Sequence, residues 1–450
     1  IQIYDTITTQ ISPMINNLLE QINTLAYSSD HPMVCFTHGQ AATPSNEEMW
    51  QMMQKMQQQM SEIQQQNQNL KAENEQLKGK VAETEQAVEA VVVATEEAAS
   101  SAMAWKNNTT IGGYGEMHYN NLEDKNGTSD KDQLDFHRFV LFFGHEFTDD
   151  LRFFSELELE HSLSGDGKPG EVELEQAYIE YDINDQNRVK GGVFLLPVGI
   201  LNETHEPNTF YGTERNAVEK NIIPTTWWEG GVMLSGELGH GFSYDAAVHS
   251  GLDVSKSADP TDADEGVATF KIRDGRQKVA EAQANDLAYT GRLKWTAIPG
   301  VELAATMQYQ EDITQGNTHA DNIGLDAGGA TLFETHAVIE QGPFGLRALY
   351  AQWDLDGDAP KVAGYDEQEG WYIEPSYRIN EQFGVFARYS EWDNQAGDSS
   401  IESEFEQIDV GVNWWLHKNV VVKADYQFQD AESDSAKELE GLNLGIGYQF

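Results

Sequence analysis

The sequence predicts an all-β transmembrane barrel of about sixteen antiparallel strands, preceded by an α-helical coiled coil. Three observations predict it. Segments of roughly ten residues with apolar–polar alternation fill residues 105–450. Short turns and long polar loops alternate between them. Upstream, a heptad pattern runs through residues 46–100.

Composition narrows the class. The 450 residues hold 28 Lys and Arg against 75 Asp and Glu, a net charge of −47. A nucleic-acid partner is excluded, because phosphate contact needs a basic surface. No run approaches eighteen apolar residues, so no membrane-spanning helix is expected. The single cysteine, Cys35, argues against a disulfide scaffold or a cysteine-based zinc site. With 39 Gly and 10% aromatics, the mixture suits a barrel, in which apolar residues take only every second strand position.

Residues 1–42 read as a leader or altered signal region of unassigned role; Gly39-Gln40-Ala41-Ala42 has the small-x-small form of a signal-peptidase site, without the apolar stretch that precedes one. Residues 43–104 are read as a coiled-coil oligomerisation helix. Its a positions are Met53, Met60, Asn67, Asn74, Val81 and Val88, and its d positions Met56, Ile63, Leu70, Leu77, Thr84 and Val91. A lone helix cannot bury that seam, so the seam implies association; asparagines at a fix register at a cost in stability.

From Trp105 the period becomes two. Val301, Leu303, Ala305, Met307 and Tyr309 fall on one face, opposite Glu302, Thr306 and Gln308. Segments 287–296, 420–429 and 441–450 repeat the pattern, and the full series runs from 108–119 through 188–200 to 441–450. Short turns such as 148–150, 239–241 and 297–299 alternate with long loops such as 201–225, 252–286 and 429–440. That segregation is the mark of an outer-membrane barrel. An even strand number returns both barrel ends to the short-turn, periplasmic side, which places the coiled coil in the periplasm. Tyr114, Tyr119, Trp227, Trp228, Trp295, Trp353, Trp371, Trp392, Trp414 and Trp415 lie near strand ends, where interfacial girdles are expected.

One segment carries a resemblance. Gly191-Gly192-Val193-Phe194-Leu195-Leu196-Pro197-Val198-Gly199, then Glu214-Arg215, then Trp228-Glu229-Gly230-Gly231 resembles the phosphate-selective porin O and P family of Gram-negative outer membranes. The resemblance implies a homotrimeric sixteen-stranded porin over 105–450, with one loop folded into the lumen as a constriction. Phe450, after alternating apolar residues, looks like the terminal aromatic signature of bacterial outer-membrane proteins. The expected function is passive diffusion of small polar or charged solutes and ions. One departure stands out: residues 105–450 carry 24 basic and 62 acidic side chains, which puts anion or phosphate selectivity in doubt.

Loop 201–225 is the expected constriction, offering Glu203, His205, Glu206, Glu214, Arg215, Glu219 and Lys220. Strand parity sends Arg152, Glu156, Glu158, Arg292, Lys294, Arg347, Arg378, Arg388 and Lys423 into the lumen. Acids on the third strand and bases on strands eight to thirteen are expected to face each other and set a transverse field. No cofactor is expected, although divalent cations suit acidic loops such as Asp354, Asp356 and Asp358. Outer-membrane lipid and lipopolysaccharide are the expected surroundings. No catalytic motif is present: there is no His-Glu-x-x-His, Gly-x-Ser-x-Gly or phosphate-binding glycine loop. Competing functions are an envelope tether that reaches peptidoglycan through the coiled coil, and a surface receptor or adhesin using the acidic loops.

Overall fold

A computed structural model describes residues 108–450 apart from 128, 225, 256–269 and 317–326, together with the helical positions Glu47, Trp50, Gln51 and Lys55. The leader 1–42 and the heptad residues from Met53 to Val91 lie outside the described residues. The chain divides into two units, Ile1–Ala98 and Ala99–Phe450, and the barrel lies in the second.

Sixteen strands form the wall: β1 Thr109–Asp124, β2 Lys131–Glu146, β3 Leu151–Glu160, β4 Val172–Asn184, β5 Asn187–Leu195, β6 Trp228–Gly239, β7 Phe242–His249, β8 Ala288–Trp295, β9 Val301–Gln310, β10 Ala327–Gln341, β11 Phe344–Gly357, β12 Glu367–Arg378, β13 Phe383–Asp393, β14 Glu404–His417, β15 Val420–Ala431 and β16 Leu439–Gln449. Each pairs with its sequence neighbours, and β1 pairs antiparallel with β16 to close the barrel. At the seam, Phe450 N donates to Gly113 O at 2.9 Å and Gly113 N to Phe450 O at 3.0 Å. Closure leaves no free edge, which a membrane-spanning sheet requires.

All sixteen expected strands form. Several run further into the long-loop side than the alternation suggested, since polar strands remain paired beyond the lipid. One is shorter: the span 188–200 ends at Leu195, because Pro197 has no amide hydrogen for the ladder and Gly199 adopts φ +76°. The chain leaves the wall partway and turns inward.

Parity behaves as expected over most of the circumference. Leu293, Met307, Ile373, Val410, Leu444 and Ile446 face outward, while Thr306, Gln308, Asn413, Asp425 and Asn443 are buried inward. On β10–β12 the inward face is also apolar. Leu332, Leu349, Ala351, Trp353 and Tyr372 join Leu196, Val198, Phe210, Val218, Ile222, Ile223 and Trp227 in one buried cluster. The barrel therefore holds a hydrophobic core inside its lumen. Here the girdle expectation fails for several residues. Tyr114, Trp227, Trp228, Trp353, Trp392 and Trp415 are buried inward; Trp227, Trp353 and Trp392 join the internal apolar cluster, and Trp415 packs on Tyr211 of the inserted loop. Trp371, Trp414 and Tyr119 do remain exposed outside.

Candidate pore constriction

The inserted loop spans 196–227, and two polar side chains knot it. Asn202 holds the neck: its Nδ2 donates to Leu196 O at 2.8 Å and Trp227 O at 2.9 Å, and its Oδ1 accepts from Trp227 N at 2.6 Å. Glu219 holds the interior. It sits in helix α1, Val218–Asn221. Its Oε1 accepts from the amides of Ile200 and Leu201, both at 2.6 Å, and its Oε2 from Asn216 Nδ2 at 2.7 Å and Tyr372 OH at 3.0 Å. A Cβ on Gly199 would stand 2.5 Å from that Oε1. Glu219 is fully buried, so it braces the loop and does not line the pore as expected. A buried carboxylate is tolerable only with such a complete set of donors.

The loop crosses the lumen, and wall cations meet its carbonyls. Arg138 Nη2 donates to His205 O at 2.7 Å, Arg347 Nη2 to Thr209 O at 2.8 Å and Lys423 Nζ to Gly212 O at 2.8 Å. Arg388 reaches Tyr211 O and Glu214 O, each at 3.5 Å, and Asn413 Nδ2 reaches Phe210 O at 3.0 Å. In the other direction, Thr213 N donates to Asp425 Oδ2 at 2.7 Å. The loop tip reaches the far rim, where Asn208 Nδ2 donates to Lys418 O at 3.3 Å. Arg347, Arg388 and Lys423 point inward as parity required, but they anchor the loop.

The expected facing walls do not form from strand residues, because the strand cations are neutralised locally. Arg388 Nε donates to Asp409 at 3.0 Å and its Nη1 to Glu374 at 3.1 Å. Arg292 bonds Asp245 at 2.7 Å and also Glu203 of the loop. Lys294 lies 3.6 Å from Glu302. Arg152 bonds Glu180 at 2.7 Å and also Asp182, and Arg378 stacks 3.6 Å above the Trp415 ring. Glu206 is half-buried and contributes a carbonyl to Thr209 Oγ1 at 2.7 Å.

A polar cavity of about 160 Å³ remains beside the loop. Glu158 and Glu160 of β3 and Glu173 and Glu175 of β4 supply one side. Arg215 and Lys220 of the inserted loop supply the other, joined by Arg273, Arg276 and Lys278 from a second loop. That second loop, between β7 and β8, is the main residue set the sequence did not reveal. Its 3-10 turn Ile272–Gly275 is pinned inward because Phe270 and Ile272 bury in the same apolar cluster. Arg215 Nη1 donates to Thr226 Oγ1 at 3.0 Å and Arg276 Nη1 to Thr226 O at 2.8 Å, so both guanidiniums converge on one residue. Burial first, and the neighbouring Arg273 charge second, bring the Arg276 guanidinium down to about 10. Lys278 Nζ crosses to Glu171 at 2.8 Å and to Glu173. Among the described residues lining this cavity, six Lys and Arg balance six Glu. The facing charges exist, but loops carry five of the six cations, Arg138 of β2 being the sixth.

Comparison with known proteins agrees with this geometry. The family model of phosphate-selective porin O and P matches residues 111–450. The chain belongs to the phosphate-selective porin O and P family. This porin forms a water-filled passage for passive diffusion across the outer membrane, and family and fold alike point to a channel. A relative from Aquifex aeolicus strain VF5, described as an uncharacterized protein, is 32% identical over 368 residues, covering 74% of this chain and 78% of its own. Solved structures share the porin's fold at low identity. An anion-selective porin from Comamonas acidovorans superposes with a TM-score of 0.53 at 13% identity, covering 76% of this chain and 99% of that one. The outer-membrane channel DcaP of Acinetobacter baumannii gives 0.50 at 13% identity, covering 76% and 97%. Salmonella typhi OmpF gives 0.50 at 14% identity, covering 76% and 98%.

The family's glycine segment has a physical reason in this porin. Gly192 of β5 pairs with Gly231 of β6, at φ +136° for Gly192. A Cβ on Gly192 would lie 2.3 Å from Ala177 O, and one on Gly231 2.1 Å from Val248 O. The neighbouring backbones approach too closely here for a side chain, beside the point where the loop departs.

Proposed function

We propose that the passage has little preference for anions and sorts small polar solutes by a transverse field. The balanced lining of the cavity carries this proposal, set in a chain of 28 basic and 75 acidic residues. Acids on β3 and β4 oppose bases on two loops, so a solute passing between them aligns its dipole, while the acidic mouths favour cations weakly. A salt-gradient reversal potential in planar bilayers tests this. Wild-type protein should give a small cation-side potential, and the triple variant R215Q/R273Q/R276Q a larger one. A strong anion-side potential in the wild type would defeat the proposal.

The heptad over residues 46–100 supports a second, compatible role. The helix joins porin copies, a trimer in our reading, on the periplasmic side, and reaches toward peptidoglycan. Asp354 and Asp356, expected in a loop, lie exposed at the end of β11, where their carboxylates suit divalent cations shared with lipopolysaccharide phosphates.

A further inference from the structure

Behind the acidic side of the cavity, three side chains from separate parts of the chain converge. Glu156 comes from β3, Glu175 from β4 and His205 from the neck of the inserted loop. They are 1%, 2% and 3% exposed. One ligand-type atom from each lies within 4.8 Å of the others. His205 Nδ1 lies 2.9 Å from Asn202 O, a carbonyl, so Nδ1 carries a hydrogen and Nε2 is the ring nitrogen left for a further partner. It points at the carboxylates: Nε2 stands 3.5 Å from Glu156 Oε1 and 3.7 Å from Glu175 Oε2. Neither His205 Nε2 nor Glu175 Oε2 makes a hydrogen bond, although both are buried.

Such separations are too long for good hydrogen bonds but suit ligands around a common ion. A tetrahedral ion held at about 2.0–2.2 Å by nitrogen and oxygen spaces its ligands about 3.4 Å apart. The imidazole is already oriented through its other nitrogen, as ligating histidines are. Glu156 is oriented too, since Gln176 Nε2 donates to its Oε2 at 2.7 Å.

We propose that Glu156, Glu175 and His205 bind a divalent first-row transition cation that clasps the neck of the constriction loop to the barrel wall. One imidazole and two carboxylates favour zinc-like ions over calcium, which takes oxygen ligands only. The ion would tie β3 and β4 to a loop that is otherwise held mainly on the opposite, β10–β16 side. The site shares Glu175 with the acidic side of the cavity, but metal uptake is read separately from the charge preference of the channel.

The test uses full-length protein folded in detergent, stripped with chelator and titrated with Zn2+, with bound metal measured by mass spectrometry after desalting. One equivalent per chain is expected, with Co2+ substitution giving the visible absorption of a low-coordinate site. Glu175→Gln and His205→Gln should each weaken Zn2+ binding on the order of 100-fold. Glu171→Gln, in a neighbouring carboxylate group, should leave it unchanged. Heat-modifiable gel mobility establishes that each variant is folded. Absence of Zn2+ uptake by the folded wild type, or equal uptake by folded Glu175→Gln, overturns the proposal.

Discussion

At the scale of single residues, the same residue type does two kinds of work. Arg347, Arg388 and Lys423 hold loop carbonyls away from the cavity, whereas Arg215, Arg273 and Arg276 line it, Arg215 and Arg276 bonding Thr226 as well. Only the second group should govern permeation. Arg276 gives a pH test with a definite sign. With its guanidinium brought down to about 10, raising pH through that value removes positive charge from the cavity. The reversal potential should then move further to the cation side between pH 8 and 11, and R276Q should show a smaller movement. An identical pH profile in R276Q would mean that Arg276 is not the titrating group. Parity in the sequence did reveal which strand charges point inward. It did not reveal which of them meet a carbonyl, because those partners lie some 70 to 210 residues away on a loop without periodicity.

At the scale of elements, the wall was legible and the insert only in outline. Each strand faces lipid on one side, so its alternation is written directly in the chain. β10–β12 are the exception, since Leu349, Ala351 and Trp353 face inward yet are apolar. Their pattern makes sense only with a loop packed against them. The loop after β5 could be singled out from its length and its glycine pair. The turn Ile272–Gly275 could not, because its two apolar anchors, Phe270 and Ile272, sit in an otherwise polar stretch. The packing can be tested at Trp353, whose Nε1 donates to Ile222 O at 3.1 Å from within the core. Replacing a buried Trp by Ala costs about 3–5 kcal/mol. W353A should therefore loosen the loop and give flickering single-channel currents. W371A, on the lipid side, should stay as quiet as wild type. Equal noise in the two variants would count against the loop being held by this core.

At the scale of the whole molecule, the open issue is how the two parts of the chain share the work. The barrel is closed by β1 on β16 and carries its own internal core. The heptad pattern of residues 46–100, read as a helix, predicts an apolar seam that needs partners. Deleting residues 46–100 should leave unit conductance within about twofold while reducing the oligomer seen by chemical crosslinking. If the deletion abolished conductance and left crosslinking untouched, the assignment of roles would have to be reversed.

The knots at Asn202 and Glu219 have a consequence for how such a protein diversifies. The residues that hold the frame, Asn202, Glu219 and Trp353, are all buried. The residues proposed to set the charge of the sieve, Arg215, Arg273 and Arg276, are other positions, set around the cavity. Frame and filter are thus separately mutable. A lineage can exchange its preferred solute one side chain at a time, without risking the fold that presents it.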